Sequence, residues 1–209
     1  MRRLVCVIEG HGEREAVPVL CNRVIRTLLR DVSDWYIDEE PVRQPRSKLV
    51  DECIPSPNRG PNTDGLNRAL AMAAAREPDS ILVICDADDD CPRAWGPAVP
   101  SALPRGNRTV AVRGVMASRE FESWILWNFP KLDRKRVKAI HPDKSPRDAK
   151  KALGQLVPGY SPTTHQLDQT RGLDLGSVWA SSDSFDKLVR MLAELTSAPF
   201  PVRPKRRSA

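Results

Sequence analysis

The chain alternates between short, wholly apolar runs and longer stretches in which apolar residues recur every three or four positions. "RLVCVI" (3–8) is Val/Ile-rich, too short for a helix and closed by Gly10, which predicts a buried strand. From about 13 to 30, Val17, Leu20, Val24 and Leu28 form one stripe and predict a helix, with Pro18 best tolerated in its first turn. "WYIDEEPV" reads as a weaker strand. Residues 43–63, rich in Pro, Asn and Arg, read as a loop or excursion. Thr63 or Asp64 can cap the alanine-rich helix "GLNRALAMAAAR". "SILVICDAD" (80–88) is the clearest strand. A Pro-rich stretch follows, then a strand over 108–117 and a helix over 118–129 with Phe121, Trp124 and Ile125 near one face. A terminal helix over 182–196 turns Phe185, Leu188, Val189 and Leu192 inward.

Strands alternating with helices predict an α/β fold: a Rossmann-like parallel sheet with helices on both faces and a small helical insertion. The expected layout is a core over 1–130, a basic and partly helical insertion over 131–180, a terminal helix over 181–197 and a flexible basic tail over 198–209. In such sheets ligands meet the carboxyl ends of the strands, near the point where strand order reverses. Glu9 and the acids of 86–90 both fall on that edge.

Composition narrows the setting. The 209 residues suffice for one domain with an elaboration, and no apolar run approaches the roughly 20 residues of a membrane helix. The two arginines at the start lack the apolar stretch of a secretory signal, so a cytoplasmic, non-membrane protein is expected. Cys6, Cys21, Cys53, Cys85 and Cys91 are irregularly spaced and suggest free thiols rather than zinc ligation. The net charge of +6 is unevenly spread: residues 131–151 hold nine Lys or Arg against three Asp, and "RPKRR" (203–207) adds four more positive charges. The remainder is acidic. Such segregation can steer a polyanion toward a negative site, although a solvated helix face and a frayed tail would look the same.

The acidic positions carry the candidate chemistry. Asp86, Asp88, Asp89 and Asp90 put four carboxylates into five positions, and on an extended chain Asp86 and Asp88 should point the same way. A divalent cation relieves their repulsion, and all-oxygen ligation suits Mg²⁺ or Mn²⁺. Glu9, at the tip of the first strand, can supply a further ligand or act as acid/base. Simpler roles compete: Glu13 and Glu15 as helix-start acids, Glu120 and Glu122 as first-turn acids facing different ways, Asp89 and Asp90 as loop residues, His11 as a solvated side chain, the tryptophans as core. Arg119 can neutralise the acids or hold a phosphate. Lys135, Arg136, Lys150 and Lys151 are the candidate contacts to a substrate backbone.

"VIEGHGE" (7–13) followed by "VICDADDD" (83–90) resembles the Toprim domain of topoisomerases, primases and the overcoming-lysogenization-defect (OLD) nucleases. "EGHGEREAVPVL", "DADDDCP", "ASREFESWIL" and "SSDSFDKLVRML" are similar to a family of small bacterial Toprim-like proteins. The resemblance implies that Glu9 is an acid/base or cation-proximal carboxylate and that Asp86 and Asp88 are the metal-binding pair. Glu13, Glu120 and Glu122 match motif positions of the smaller family without an assigned role. Gly10 and Gly12 would allow a tight turn and close phosphate approach.

The expected function is a Mg²⁺- or Mn²⁺-dependent phosphoryl-transfer enzyme with Glu9, Asp86 and Asp88 as its catalytic, cation-facing acids. It would be a nuclease on DNA or RNA, and the resemblance adds a place in mobile-element or phage defence. The alternatives are a non-catalytic nucleic-acid-binding subunit of a separately encoded ATPase, and a haloacid-dehalogenase-type phosphatase with Asp86 as nucleophile. That last reading leaves "IEGHGE" unexplained.

Overall fold

A computed structural model describes residues 1–55, 60–104, 106, 109–129 and 149–205. Its sheet contains β1 (Arg2–Ile8), β2 (Trp35–Ile37), β3 (Val42–Arg43), β4 (Ser80–Asp86) and β5 (Ala111–Ala117), all paired in parallel. β1 pairs with β4 on one side. On the other it pairs with β2 near its start and with β3 at Val7 and Ile8, and β5 lies beyond β4. Strand order therefore reverses between β1 and β4, which makes the carboxyl ends of those two strands the switch point.

The helices are α1 (Glu13–Leu28), α2 (Asp64–Ala74), α3 (Pro92–Trp95), α4 (Ala98–Ser101), α5 (Glu122–Leu126), α6 (Ala149–Leu156), α7 (Pro162–Arg171), α8 (Leu175–Ser181) and α9 (Asp183–Thr196), with a π-helical turn at Ser47–Asp51. Successive strand residues face opposite layers. Leu4, Cys6, Ile8, Leu82 and Ile84 pack with α1, α5, α6, α8 and α9, while Val5, Val7, Ile81, Val83 and Cys85 pack with α2, α3, α4 and the π-helical turn. Burial on both faces is why β1 and β4 read as unbroken apolar runs. Trp124 stacks edge-on against Phe185 at 5.5 Å and joins α5 to α9.

Several boundaries differ from expectation. Pro18 lies in the second turn of α1, not the first. The excursion after residue 43 contains the π-helical turn, anchored where the Trp95 indole N–H donates to Leu49 O at 2.7 Å. The helix expected from 118 starts only at Glu122, because Arg119 takes a left-handed φ of 62° and breaks the register. Residues 149–181 pack against the core. α7 lies along α1, and Arg23 donates to the carbonyls of Thr170 and Leu173 at 2.6 and 2.8 Å. The tail is held to the body at Arg203, which donates to Trp179 O and pairs with Asp183. The cysteines are free thiols, four buried and Cys91 exposed. Among the described residues no helix is long and apolar enough to cross a membrane.

Candidate functional site

β1 ends at Ile8, and Glu9 steps out over the end of the sheet. Glu13, the first residue of α1, turns its carboxylate back and accepts the N–H groups of Glu9 and Gly10, each at 3.0 Å. The expected helix-start acid thus closes the strand-to-helix turn, and it also lines the cavity described below. Glu9 Oε2 in turn lies 3.3 Å from the backbone N of Asp86, its hydrogen-bond donor, so the tips of β1 and β4 meet at one rim.

The far side of the rim is built by β5 and the segment after it. Ala87 N–H donates to Ala117 O and Asp88 N–H to Arg119 O, which extends the β4–β5 alignment past the strand ends. That turn aims Phe121 N–H at Asp86 Oδ1, 2.8 Å away. It also delivers Glu122, fully buried, into the same opening. Tyr160 donates its phenolic hydrogen to Glu122 Oε1 at 3.1 Å, while Glu122 Oε2 has no hydrogen-bond partner. Lys150 Nζ stands 3.9 Å from Asp86 Oδ2 and 4.0 Å from Glu122 Oε2, and its backbone N–H donates to Glu120 at 3.0 Å. The late start of α5 thus places Glu122 inside and leaves Glu120 at the margin, holding Lys150.

These groups line a cavity of about 220 Å³, with Glu9, Glu13, Asp86, Glu122 and Lys150 as its charged walls. Acid outnumbers base, and Glu13, Asp86 and Glu122 are buried. Burial, reinforced by the charges of Glu13, Glu122 and Glu9, raises Asp86 well above the usual carboxylate range. Burial lifts Glu13 to about 7 against the two N–H groups that favour its anion. Glu9 and Glu122 are also raised by burial, opposed by Arg46 and Lys150 respectively.

A second set of acids gathers outside this cavity around Arg46, the residue preceding the π-helical turn. Its guanidinium donates to the carbonyls of Asp86 and Ala87 and pairs with Asp90. It lies 3.2 Å from both Asp51 and Asp88 and 3.6 Å from Glu9. The expected convergence of Asp86 and Asp88 does not occur. β4 ends at Asp86, and Asp88 has a left-handed φ of 46°, so strand alternation no longer applies and its carboxylate turns to Arg46. Asp89 pairs with Arg119 at 2.6 Å.

Lys151 is exposed outside the cavity, and Lys135 and Arg136 fall outside the described residues. Gly10 and Gly12 lie in the strand-to-helix turn and line the cavity, and neither has a positive φ. A β-carbon on Gly12 would sit 2.4 Å from Gln166 Oε1 and 2.7 Å from Pro162 Cβ, so this glycine admits α7, whereas one on Gly10 would meet only ordinary contacts from 3.5 Å.

The oxygen-only donors, the surplus of acid and the Glu122 oxygen that lacks a hydrogen bond suit a hard divalent cation in kind. Among the described residues, however, no three His, Cys, Asp or Glu side chains are placed to hold one metal ion together. The acids are instead divided between Arg46 and Lys150. The sequence reading missed Arg46, Tyr160 and Gln166 as members of the site. The only signal for Arg46 was general: so much acid at two strand tips requires a neighbouring cation. No family model matches the chain, and no curated protein or solved structure matches it.

Proposed function

We propose that the chain is a Mg²⁺- or Mn²⁺-dependent phosphoryl-transfer enzyme whose substrate is a nucleic-acid phosphodiester. The observation that carries this reading is the meeting of Glu9 and Asp86 across the switch point, with buried Glu122 beside them and an acid surplus in one cavity. The resemblance of "VIEGHGE" and "VICDADDD" to Toprim domains supports it.

Glu9, Asp86 and Glu122 would face the cation, with Asp88 at the outer rim. When bound, the cation supplies Lewis acidity toward a phosphoryl oxygen and offsets repulsion between the phosphodiester and the carboxylates. Lys150 is placed to hold a phosphate oxygen as a point charge. Glu13, titrating at about 7, can hold or release a proton near neutrality at the turn that orients Glu9. Lys151, with Lys135 and Arg136, would meet flanking phosphates, contacts that position a strand without reading its sequence.

The test is cleavage of labelled single- and double-stranded DNA and RNA in Mn²⁺ or Mg²⁺, with chelator as control. Glu9→Gln and Asp86→Asn are expected to abolish cation-dependent cleavage. Undiminished cleavage in both variants overturns the reading. The occupation of the outer acids by Arg46 favours one competitor, a nucleic-acid-binding subunit that relies on a separately encoded ATPase. Salt-sensitive nucleic-acid binding without cleavage under any cation would select that alternative.

A further inference from the structure

We infer that the open edge of β5 receives an extended peptide segment of another protein, one that alternates apolar and acidic side chains and joins the sheet as a further strand. The inference is independent of the cation-dependent reading above.

β5 pairs with β4 on one side and, among the described residues, with no strand on the other. In a parallel pair, alternate residues turn their N–H and C=O groups to opposite sides. Ala117 O accepts the Ala87 N–H from the β4 side, so Val112, Gly114 and Met116 present theirs to the open side. The two ends of that row are occupied. The Arg113 guanidinium donates to Val112 O at 2.9 Å, and Ser118 N–H donates to Ser184 Oγ at 3.1 Å. Between them, Gly114 and Met116 make no hydrogen bond on that side among the described residues. Unpaired edge groups of this kind are a template for an added strand.

The edge is also recessed. It lies along a groove of about 1050 Å³, with Pro92, Trp95 and Pro97 on one wall and Ser184, Lys187 and Met191 of α9 on the other. A β-carbon on Gly114 would fall 2.7 Å from the Trp95 ring, so the first wall is seated directly on the strand. Val115 and Met116 are only 1% and 3% exposed although they belong to an edge strand. An edge sunk between two helical walls excludes the equally sunk β5 of a second copy, because the walls of the two copies would collide first. A single extended chain fits between them.

Side chains of an added strand point alternately to the two walls. Proline and tryptophan on the α3 wall suit apolar side chains. Charge decides the other set. The acids at the margin of the groove are already engaged: Asp88 and Asp90 with Arg46, Asp89 with Arg119, and Asp183 with Arg203. Lys187 in α9 and Arg93 in α3 are exposed and have no acidic partner among the described residues. The uncommitted charge is therefore positive, and acidic side chains complement it. Backbone donors and acceptors at strand spacing match another peptide backbone, a pattern that a phosphate chain does not reproduce.

The experiment is fluorescence anisotropy of the full chain with a labelled alternating Val–Glu peptide of about seven residues, beside an alternating Val–Lys peptide of equal length. Two further Val–Glu peptides are N-methylated, one at its valines and one at its glutamates. The Val–Glu peptide should bind, and should bind about tenfold more weakly to the Arg93→Glu/Lys187→Glu double variant, which should instead favour Val–Lys. N-methylation of one set of residues should abolish binding and that of the other should not, because only one edge of the peptide meets β5. Bound peptide should slow hydrogen exchange at the Gly114 and Met116 amides. Absence of Val–Glu binding, or binding indifferent to charge reversal and to the position of the N-methyl groups, overturns the inference. Protection of the same amides by an oligonucleotide alone, or by self-association without peptide, also overturns it and gives the groove to nucleic acid or to a second copy. Should the double variant not fold, the N-methylated pair decides on wild type, since it alters only the peptide.

Discussion

Glu13 Oε2 accepts the backbone N–H of Glu9 at 3.0 Å, so the acid that opens α1 also fixes the acid that ends β1. The contact needs an acceptor but not a charge. Burial raises Glu13 from its ordinary 4.5 to about 7, so the folded state binds a proton that the unfolded state has released. Stability from this group is therefore complete below about 4.5 and is lost as pH rises toward 7. Glu13→Gln keeps an acceptor and removes the charge. It should be more stable than wild type at pH 8, by about 1–3 kcal/mol, with the difference vanishing near pH 4.5. Urea denaturation across that range measures it, and a pH-independent difference would contradict the expectation.

Tyr160 and Glu122 form the second buried contact of the site. Tyr160→Phe removes the donor to Glu122 Oε1 and leaves a carboxylate whose other oxygen already lacks a hydrogen bond. The cost should be about 1.5–3 kcal/mol in wild type. In a Glu122→Gln background it should fall below about 1 kcal/mol, because no charge remains to strand. A double-mutant cycle in urea that gives additive effects would show that the pair does not interact.

The frame was legible because it depends on apolar patterning. "RLVCVI" and "SILVICD" are strands buried on both faces, so their apolar character is unbroken and their neighbours read as helices. The meeting of Glu9 with the end of β4 followed from strand alternation plus topology. Local conformation was harder. Asp88 and Arg119 take left-handed φ angles that no periodicity encodes, and those two residues decide which acids face inward. Asp88 leaves the inner cavity on that account, and Glu122 enters it. Arg46, Lys150, Tyr160 and Gln166 come from segments far from both strand tips in sequence. Their place in the site is a result of tertiary packing.

The two glycines of "EGHGE" should respond differently to the same substitution. Gly12→Ala forces a β-carbon against Gln166 and the Pro162 backbone, at 2.4 and 2.8 Å, and must displace α7 from α1. A loss of about 1–3 kcal/mol is expected. Gly10→Ala meets only Glu13 side-chain atoms at ordinary distance and should change stability by less than about 1 kcal/mol. Thermal unfolding of the two variants side by side checks the contrast, and equal effects would place the constraint in the turn rather than in helix docking.

Lys150 offers a test of how the cavity balances its charge. Its side chain is half exposed, so its direct pairing with Asp86 and Glu122 at about 4 Å is worth no more than about 1 kcal/mol. Seen from its buried partners, the same interaction favours their ionised forms against burial. Lys150→Met removes that opposition, so the folded protein should retain protons on these acids to higher pH. Raised carboxyl pKa values make stability fall as pH rises, and the fall should be steeper in the variant than in wild type. Unfolding measurements should therefore show a deficit of no more than about 1 kcal/mol at pH 8 that closes toward pH 5. Saturating Mn²⁺ at pH 8 should narrow the same gap if the cavity accepts a dication, because the added charge takes over the role of the lost ammonium. A deficit that neither acid nor Mn²⁺ reduces would mean that Lys150 acts only through the packing of its aliphatic stem.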